Sequence, residues 1–448
     1  MSRVKYYTAL LAAKSAYLAI KMLNKSSGTS FVGKLALKIC PDFLKYCKGY
    51  MKQGITVAVT GTNGKTTTSG LLAQILETDK NRVLHNVKGA NMLTGIANVF
   101  ALNISPFSKP FDYAVLESDE AYLTKLYDYY KSDFLLVTNL FRDQLDRYGE
   151  LETTAGFIRN AIEKNEKLIL LLNADDPLVT NLGKDKEAFF YGFESVEICS
   201  EVHKGSSNAP TEVFNCICSE PLQYDKRFFA QEGHYFCNKC GYKRPEPDFK
   251  GYVRVFTDYS ELTVEHEGNC YDFKLNLVGL YNAYNALGAI SMALLAGVDY
   301  KVIRQAVSEY KSIFGRAEKR TINGHDTLIQ LIKNPTGASE VLKTVDLDSN
   351  IIIAINDNYA DGRDISWLWD SDFEQLKEAK HPISTSGIRA KDMATRLKYA
   401  GVPTDKIIIE EDIKKAIETV ANSDKNKDNK ITILPSYTAL LKINKMKF

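Results

Sequence analysis

The sequence predicts an α/β protein. It has a central domain on a parallel sheet flanked by helices, a small insertion within that domain, and a smaller C-terminal Rossmann-like α/β domain. Three observations predict this. From Ile55 to about Ala188, apolar runs ending in polar residues alternate with helical patterns, as they do in a parallel sheet whose chemistry lies at the strand C-termini. Residues 199–250 break the alternation with cysteines and aromatics, and a second alternating unit follows Gly315-Arg316. The expected divisions are 1–50, 51–315 with 199–250 inserted, and 316–448.

The bulk composition agrees. The chain has 448 residues, 45% hydrophobic and 25% charged, an ordinary globular balance with room for roughly two or three domains. Its eight cysteines are scattered apart from two close pairs, which excludes a secreted disulfide framework. No apolar run approaches the roughly 20 residues of a membrane span. Thr8–Leu23 is interrupted by Lys14 and Lys21 and no clear cleavage site follows, so a cytoplasmic address is expected.

Residues 1–52 carry ten Lys/Arg against one acid, Asp42. On a helix, Arg3, Lys14, Lys21 and Lys25 fall within roughly 40° of one another, and Tyr7, Leu11, Leu18 and Met22 are read as lying away from them. The plain reading is a solvated basic face on a docked helix. The sharper one is attraction to an anionic membrane surface or an anionic substrate.

The next segment, ITVAVTGTNGKTTT (55–68), is a buried strand, a glycine turn and a helix, expected over Ser69–Leu76. Gly61, Thr62, Asn63 and Gly64 let successive N–H groups face one anion, and the helix N-terminus adds its positive dipole end. Lys65 offers a point charge to phosphates, Thr66 a hydroxyl to Mg²⁺, and Thr67 continues the cradle. Val59 stands where a strict Walker A loop has its first glycine. The motif predicts a nucleoside triphosphate with Mg²⁺.

The following strands end in Glu117-Ser118-Asp119-Glu120, in Thr138-Asn139 before Arg142-Asp143-Gln144-Leu145-Asp146, and in Asn173-Ala174-Asp175-Asp176. Acids at a strand end beside a phosphate loop are placed to hold Mg²⁺, and the three ends are expected to line one crevice. In the insertion, Cys216-x-Cys218 and Cys237-x-x-Cys240 are separated by 18 residues. Four thiolates on two tight knuckles suit tetrahedral Zn²⁺, and a full protein ligand set makes it structural. Cys199 is a less apt substitute ligand, and Cys40, Cys47 and Cys270 read as buried small hydrophobes.

Beyond the insertion come strand patterns at Tyr252–Val255, Leu262–His266 and Tyr271–Val278, then a long helix at Tyr281–Ala296. The C-terminal unit has strands near Thr327–Ile332, Ile351–Ile355 and Ile431–Leu434. Three carboxylates, Asp357, Asp361 and Asp364, sit on a glycine-containing turn after the second of these, beside the only tryptophans, Trp367 and Trp369. Those rings suit either an interface or local packing.

TGTNGKTT, LESDE, TNLFRDQLD, LNADDP, GLYNAYNA (279–286) and GRAE (315–318), in this order, resemble the Mur ligase family, over about residues 50–440. The resemblance implies an enzyme that phosphorylates a substrate carboxylate from ATP and lets an amine attack the acyl phosphate. Carried over, Lys65 and Thr66 meet phosphates and Mg²⁺, Glu117 matches the magnesium glutamate, Asn282 the asparagine near the nucleotide, and Arg316 the arginine reaching the phosphates. Two departures stand out. Asp143-Gln144-Leu145-Asp146 lacks the family's usual histidine, and Gln330-Leu331-Ile332-Lys333-Asn334-Pro335 lacks its ribose-binding aspartate.

The zinc ribbon and the stretch NDNYADGRDISWLWD (356–370) narrow the resemblance to an amidating branch. That branch implies a synthetase subunit paired with a class I glutamine amidotransferase-like subunit, GatD, converting the D-glutamate α-carboxylate of lipid II to D-isoglutamine. Ammonia is usually cut from glutamine by a cysteine with a histidine base, and this chain offers no such pair. The resemblance implies that an aspartate of the 357–364 turn, Asp357 being nearest the strand, completes the partner's Cys-His pair. Peripheral contact with the inner membrane face is expected, and no nucleic acid. Two rivals are an amino-acid-adding Mur ligase working alone and a zinc-ribbon nucleic-acid-binding ATPase. The latter predicts a basic aromatic stripe, against a net charge of only +2.

Overall fold

The computed structural model describes residues 3–22, 29–51, 54–86, 90–105, 107–143, 151–184, 186–199, 215–256, 258–311, 316–423 and 430–446. Lys25, Gln144, Leu145, Asp146, Gly315 and the side chain of Arg316 lie outside the described residues.

Three helices open the chain: α1 (Arg3–Met22), α2 (Thr29–Ile39) and α3 (Phe43–Cys47). Tyr6, Ala9, Leu10 and Ala13 of α1 are buried, and Tyr6 stacks on Phe43 with centroids 5.2 Å apart. The helices are continuous with the core on one face of the central sheet. The docked-helix reading needs one correction. Tyr7, Leu11, Leu18 and Met22 lie beside Arg3, Lys14 and Lys21 on the helix rather than away from them, and they are exposed, because Tyr6, Ala9, Leu10 and Ala13 form the docking face. Among the described residues, no helix is long and apolar enough to cross a membrane.

The central unit then runs β1 (Ile55–Thr60), α4 (Lys65–Thr78), β2 (Val83–His85), α5 (Leu93–Asn103), β3 (Tyr113–Glu117), α6 (Glu120–Tyr127), β4 (Phe134–Val137), α7 (Leu151–Glu163), β5 (Ile169–Asn173), α8 (Pro177–Thr180) and β6 (Ala188–Ile198). A hairpin, β7 (Gln223–Phe229) and β8 (Glu232–Phe236), precedes β9 (Phe249–Val255), β10 (Ser260–His266) and β11 (Asn269–Leu275). Helices α9 (Leu280–Leu295) and α10 (Tyr300–Glu309) complete it.

The sheet order is β11-β10-β9-β6-β5-β4-β1-β3-β2. Strands β1 to β6 and β9 pair in parallel, while β9, β10 and β11 form an antiparallel meander. Central strands buried on both faces read as unbroken apolar runs, which is why β1, β4 and β5 are legible in the sequence. A second core packs α4, α9 and α10 on the other face. Helix α4 starts at Lys65, four residues before the expected start, because threonines 66–68 hide the apolar period of its first turn.

The C-terminal unit comprises β12 (Arg316–Ile322), β13 (His325–Gln330), α11 (Pro335–Leu342), β14 (Asn350–Ala354), β15 (Ile383–Ser386), α12 (Ala390–Tyr399), β16 (Ile407–Ile409), α13 (Ile413–Ser423), β17 (Ile431–Pro435) and α14 (Tyr437–Ile443). Its sheet order is β12-β13-β17-β14-β15-β16, with apolar clusters on both faces.

Candidate nucleotide cleft and cysteine cluster

The turn from β1 to α4 carries the first part of the site. Gly64 sits at φ +85°, and a Cβ there would lie 1.9 Å from Asn285 Oδ1, so both the backbone and the space require glycine. The Thr62 N–H donates to the Asn139 carbonyl (2.9 Å) and the Asn63 N–H to Asn139 Oδ1 (2.8 Å). Thr138 Oγ1 donates to the Asn63 carbonyl (2.7 Å). The end of β4 thus moulds the loop. Gly61 lies against Thr138 and Asn139, and Thr66 and Thr67 occupy the first turn of α4.

Lys65 is buried, and its Nζ donates to the Gly61 carbonyl (2.5 Å), Glu120 Oε1 (2.9 Å) and the Thr62 carbonyl (3.3 Å). Burial opposes its charge, but Glu120, Asp119 and Glu117 outweigh burial and hold the ammonium above its ordinary range. Asp119 caps α6 by accepting from the Ala121 N–H (3.2 Å), a contact worth about 1 kcal/mol.

Glu117 ends β3. Its main chain exchanges two 2.8 Å bonds with the Asn86 amide, and Asn91 Nδ2 donates to Oε1 (3.3 Å). Oε2 is buried without a hydrogen-bond partner. A bare buried carboxylate oxygen is unfavourable unless something takes its lone pairs, and a hard divalent cation does so.

Opposite the loop stands the C-terminal unit. Between them lies a narrow cleft of about 90 Å³. Asn63, Gly64, Thr67, Asn139 and Asn285 line one side and Gln330, Lys333, Thr336, Gly337 and Glu340 the other, with Phe141, Phe229, Tyr281, Tyr284, Leu331 and Val341 between. Asn334 Nδ2 donates to Asn63 Oδ1 (3.0 Å), with the reverse contact at 3.4 Å. Lys333 Nζ donates to Asp143 Oδ2 (2.5 Å) and to the Thr62 carbonyl (3.4 Å). Gln330 Nε2 donates to Thr344 Oγ1 (3.0 Å), and its Oε1 is buried without a hydrogen-bond partner. Asn282 lies behind Asn285, donating to the Val278 carbonyl (2.8 Å) and accepting from Asn285 Nδ2 (3.3 Å). Asn285, Gln330 and Lys333 therefore face the cleft without having been singled out as ligands. Asn285 sits one helical turn from Asn282, the only signal that could have found it.

The end of β5 does not line this crevice. Asp176 is fully buried and accepts from the Leu140, Leu178 and Val179 N–H groups. Burial pushes its carboxyl up to about 6, against those donors. Asp175 is held by Arg244 (2.6 Å) and the Tyr284 hydroxyl (2.8 Å). Both carboxylates anchor the insertion.

In that insertion, the four sulfurs of Cys216, Cys218, Cys237 and Cys240 lie within 4.8 Å of one another. Cys216 and Cys240 are 3.4 Å apart, and Cys218 and Cys237 3.6 Å. Those separations exceed a disulfide bond and suit Zn–S bonds of about 2.3 Å in a tetrahedron. The Cys240 main-chain N–H helps hold the Cys237 thiol down to about 7, whereas burial pushes that of Cys216 up to about 12. Cys199 is not in the cluster. Cys40 and Cys47 are buried as expected, while Cys270, on a strand face turned to solvent, is exposed.

The cluster closes the base of the β7–β8 hairpin, and the tip at the other end of that hairpin plugs into the central unit. Gln231 Nε2 donates to the Leu140 carbonyl (2.7 Å), and Asn173 Nδ2 donates to Glu232 Oε1 (3.0 Å). Phe229 packs on Phe141 and Tyr284 at 5.8 and 5.5 Å. Tyr235 is buried and Tyr224 half-buried, so the ribbon aromatics serve the interior rather than a stacking surface for bases.

The 357–364 turn follows β14. Asp357 is buried and accepts from Arg389 Nη2 (2.6 Å). Asp361 accepts from the Thr438 N–H (2.7 Å) and hydroxyl (2.5 Å). Asp361 and Asp364 line a smaller cleft with Arg142, Asp143, Lys333 and Trp367, next to the first. Trp367 is half-buried on the C-terminal core, whereas Trp369 is exposed against Tyr399.

The Mur ligase middle-domain model matches residues 59–225, and the MurT ligase C-terminal model matches residues 331–440. The chain is 35% identical to the lipid II isoglutaminyl synthase (glutamine-hydrolyzing) subunit MurT of Streptococcus pneumoniae, covering 98% of this chain and 96% of that protein. It is 34% identical to the subunit of the same name from Staphylococcus aureus, with 98% and 96% covered. Among solved structures, the pseudomurein peptide ligase type C of Methanothermus fervidus aligns with a TM-score of 0.67 at 23% identity, over 88% of this chain and 79% of that one. MurF of Thermotoga maritima in complex with ADP aligns at 0.60 and 15%, over 90% and 82%. These two share the fold. With a P-loop facing the C-terminal unit across a cleft and a cysteine cluster braced against it, the chain belongs to the MurT family.

Proposed function

We propose that this chain is the ATP-dependent synthetase subunit that amidates the D-glutamate α-carboxylate of lipid II to D-isoglutamine. The observation that carries the reading is the cleft itself. Asn63, Gly64 and Thr67 of a phosphate loop line one wall and Lys333 of the facing domain the other, while the charged Lys65 and the bare carboxylate oxygen of Glu117 lie buried behind the loop. The adenine and ribose occupy the aromatic part of the cleft, with Asn282 and Asn285 beside it and Gln330 Oε1 accepting a ribose hydroxyl in place of the missing aspartate. Gly61, Thr62, Asn63, Gly64, Lys65, Thr66 and Thr67 cradle the phosphates, and Arg316 adds charge from the domain junction. Thr66 and Glu117 would hold Mg²⁺, which when bound neutralises phosphate charge. Lys65 stabilises the charge that develops as the γ-phosphoryl group moves to the carboxylate. Ammonia then attacks the acyl carbon and phosphate leaves.

Ammonia comes from a glutamine-hydrolysing partner of the class I amidotransferase type, GatD. Within this chain His85 bonds Ser69, and His234, His266 and His325 bond main-chain carbonyls, none of them a cysteine. Asp357 supplies the carboxylate that orients the partner's histidine, once Arg389 yields it. Cys216, Cys218, Cys237 and Cys240 hold a structural zinc. Because lipid II is membrane-linked, the reaction takes place at the inner membrane face.

The test is reconstitution of the chain with its co-purifying partner, ATP, glutamine and detergent-solubilised lipid II, read by mass spectrometry of the muropeptide. Glutamine- and ATP-dependent amidation supports the reading. Ligation of a free amino acid by the chain alone would replace it with a conventional ligase.

A further inference from the structure

We infer that α1 is an interfacial anchor that lays an apolar stripe into the surface of an anionic membrane. The helix is apolar around most of its circumference, yet only one face docks. Tyr6, Ala9, Leu10 and Ala13 are buried against the rest of the protein. Val4 and Leu11 are each 70% exposed, Tyr7 44%, Leu18 55% and Met22 83%.

At 100° per residue these five fall within about 60° of one another, a continuous stripe along roughly 30 Å of helix. Thr8, Ser15 and Ala19, small and also exposed, extend it on one side. Isolated exposed leucines need no explanation, whereas an aligned row of large apolar side chains marks an interaction surface.

The charges beside the row select the occupant. Arg3, Lys14 and Lys21 run along one edge of the stripe and Lys5 stands at the other, and α1 contains no acidic residue. Helix α2, packed against α1, adds exposed Lys34 and Lys38, again with no acid, and an exposed Phe31. An apolar row bordered by long cations matches the boundary between acyl chains and anionic headgroups, where the stems stay apolar and the ammonium groups reach phosphate. No described helix can span a bilayer, so α1 lies on the membrane. The proposed function enters only as the purpose of this contact, bringing a lipid-linked substrate to the cleft.

The test is flotation of the full chain, alone and with its glutaminase partner, on two kinds of vesicle: phosphatidylcholine alone, and equal parts phosphatidylcholine and phosphatidylglycerol. The expected result is binding to the anionic vesicles, weakened at least roughly tenfold by Leu11→Ser/Leu18→Ser and separately by Lys14→Glu/Lys21→Glu. Both variants should keep wild-type amidation of detergent-solubilised substrate, which also reports that they fold. Equal retention on both vesicles, retention on neither, or binding untouched by both variants, overturns the inference. So does a concentration-dependent dimer, or a partner contact, that Leu11→Ser/Leu18→Ser removes, because the stripe is then a protein interface. Vesicle binding without amidation would sink the proposed function and leave the anchor standing.

Discussion

Lys65 and Lys333 aim their ammonium groups at one atom, the carbonyl oxygen of Thr62, at 3.3 and 3.4 Å. One lysine comes from the phosphate loop and the other from the facing domain. Like charges converging on a single neutral acceptor repel, and Glu120 and Asp143 hold them there. A polyanion entering the cleft gives both a better partner. Lys333→Gln is therefore expected to lower kcat by about 10²-fold, with a smaller change in KM for ATP. Steady-state ADP release checks this, and hydroxylamine trapping of the acyl phosphate locates the loss.

The cysteine cluster closes the base of the hairpin whose tip carries Phe229 into the cleft. Cys237→Ser is expected to lower Tm by roughly 5–10 °C and to raise KM for ATP several-fold. Elemental analysis should find one zinc per chain in the wild type and less than one in the variant. Unchanged ATP affinity in a zinc-free, folded variant would separate the ribbon from the cleft.

Asp357→Asn removes the carboxylate proposed to orient the partner's histidine. Glutamine-dependent amidation should fall by about 10³-fold or more, while ammonium chloride restores activity. Asp361→Asn is the comparison. Its two oxygens are both taken by Thr438, whereas Asp357 is hydrogen-bonded to one exchangeable arginine, so the Asp361 variant should lose stability without that selective rescue.

His85 gives a pH signature. Burial holds its imidazole down to about 4, from an ordinary 6.5. Below 6.5 the unfolded chain takes up a proton that the folded chain refuses until about 4, so stability falls as pH drops through that window. The difference is at most about 3 kcal/mol. His85→Gln should flatten this part of the profile, measured as urea midpoints from neutral pH to about 4.

The strands were legible where both faces are buried, as in β1, β4 and β5, because their central positions are apolar in succession. The short strands β2, β15 and β16 have three or four residues each, too few to show a period. The phosphate loop, the strand-end glutamate and the cysteine pairs were legible because their chemistry is local in sequence. Asn285, Gln330 and Lys333 were not, since their importance arises from a facing that only the folded chain creates. Asp175 and Asp176 read as crevice residues from their place at a strand end, but the hairpin tip covers them. On α1 the angles alone put Tyr7, Leu11, Leu18 and Met22 beside the cations, and only the fold shows that this side is left undocked.

The paired amides of Asn63 and Asn334 carry a kinetic consequence. The loop and the start of α11 satisfy each other through these amides, so a nucleotide that needs the Asn63 amide must first part them. Opening then precedes nucleotide capture, and at high ATP the observed association rate levels off at the opening rate instead of rising without limit. The chain would be paced by its own gate rather than by encounter.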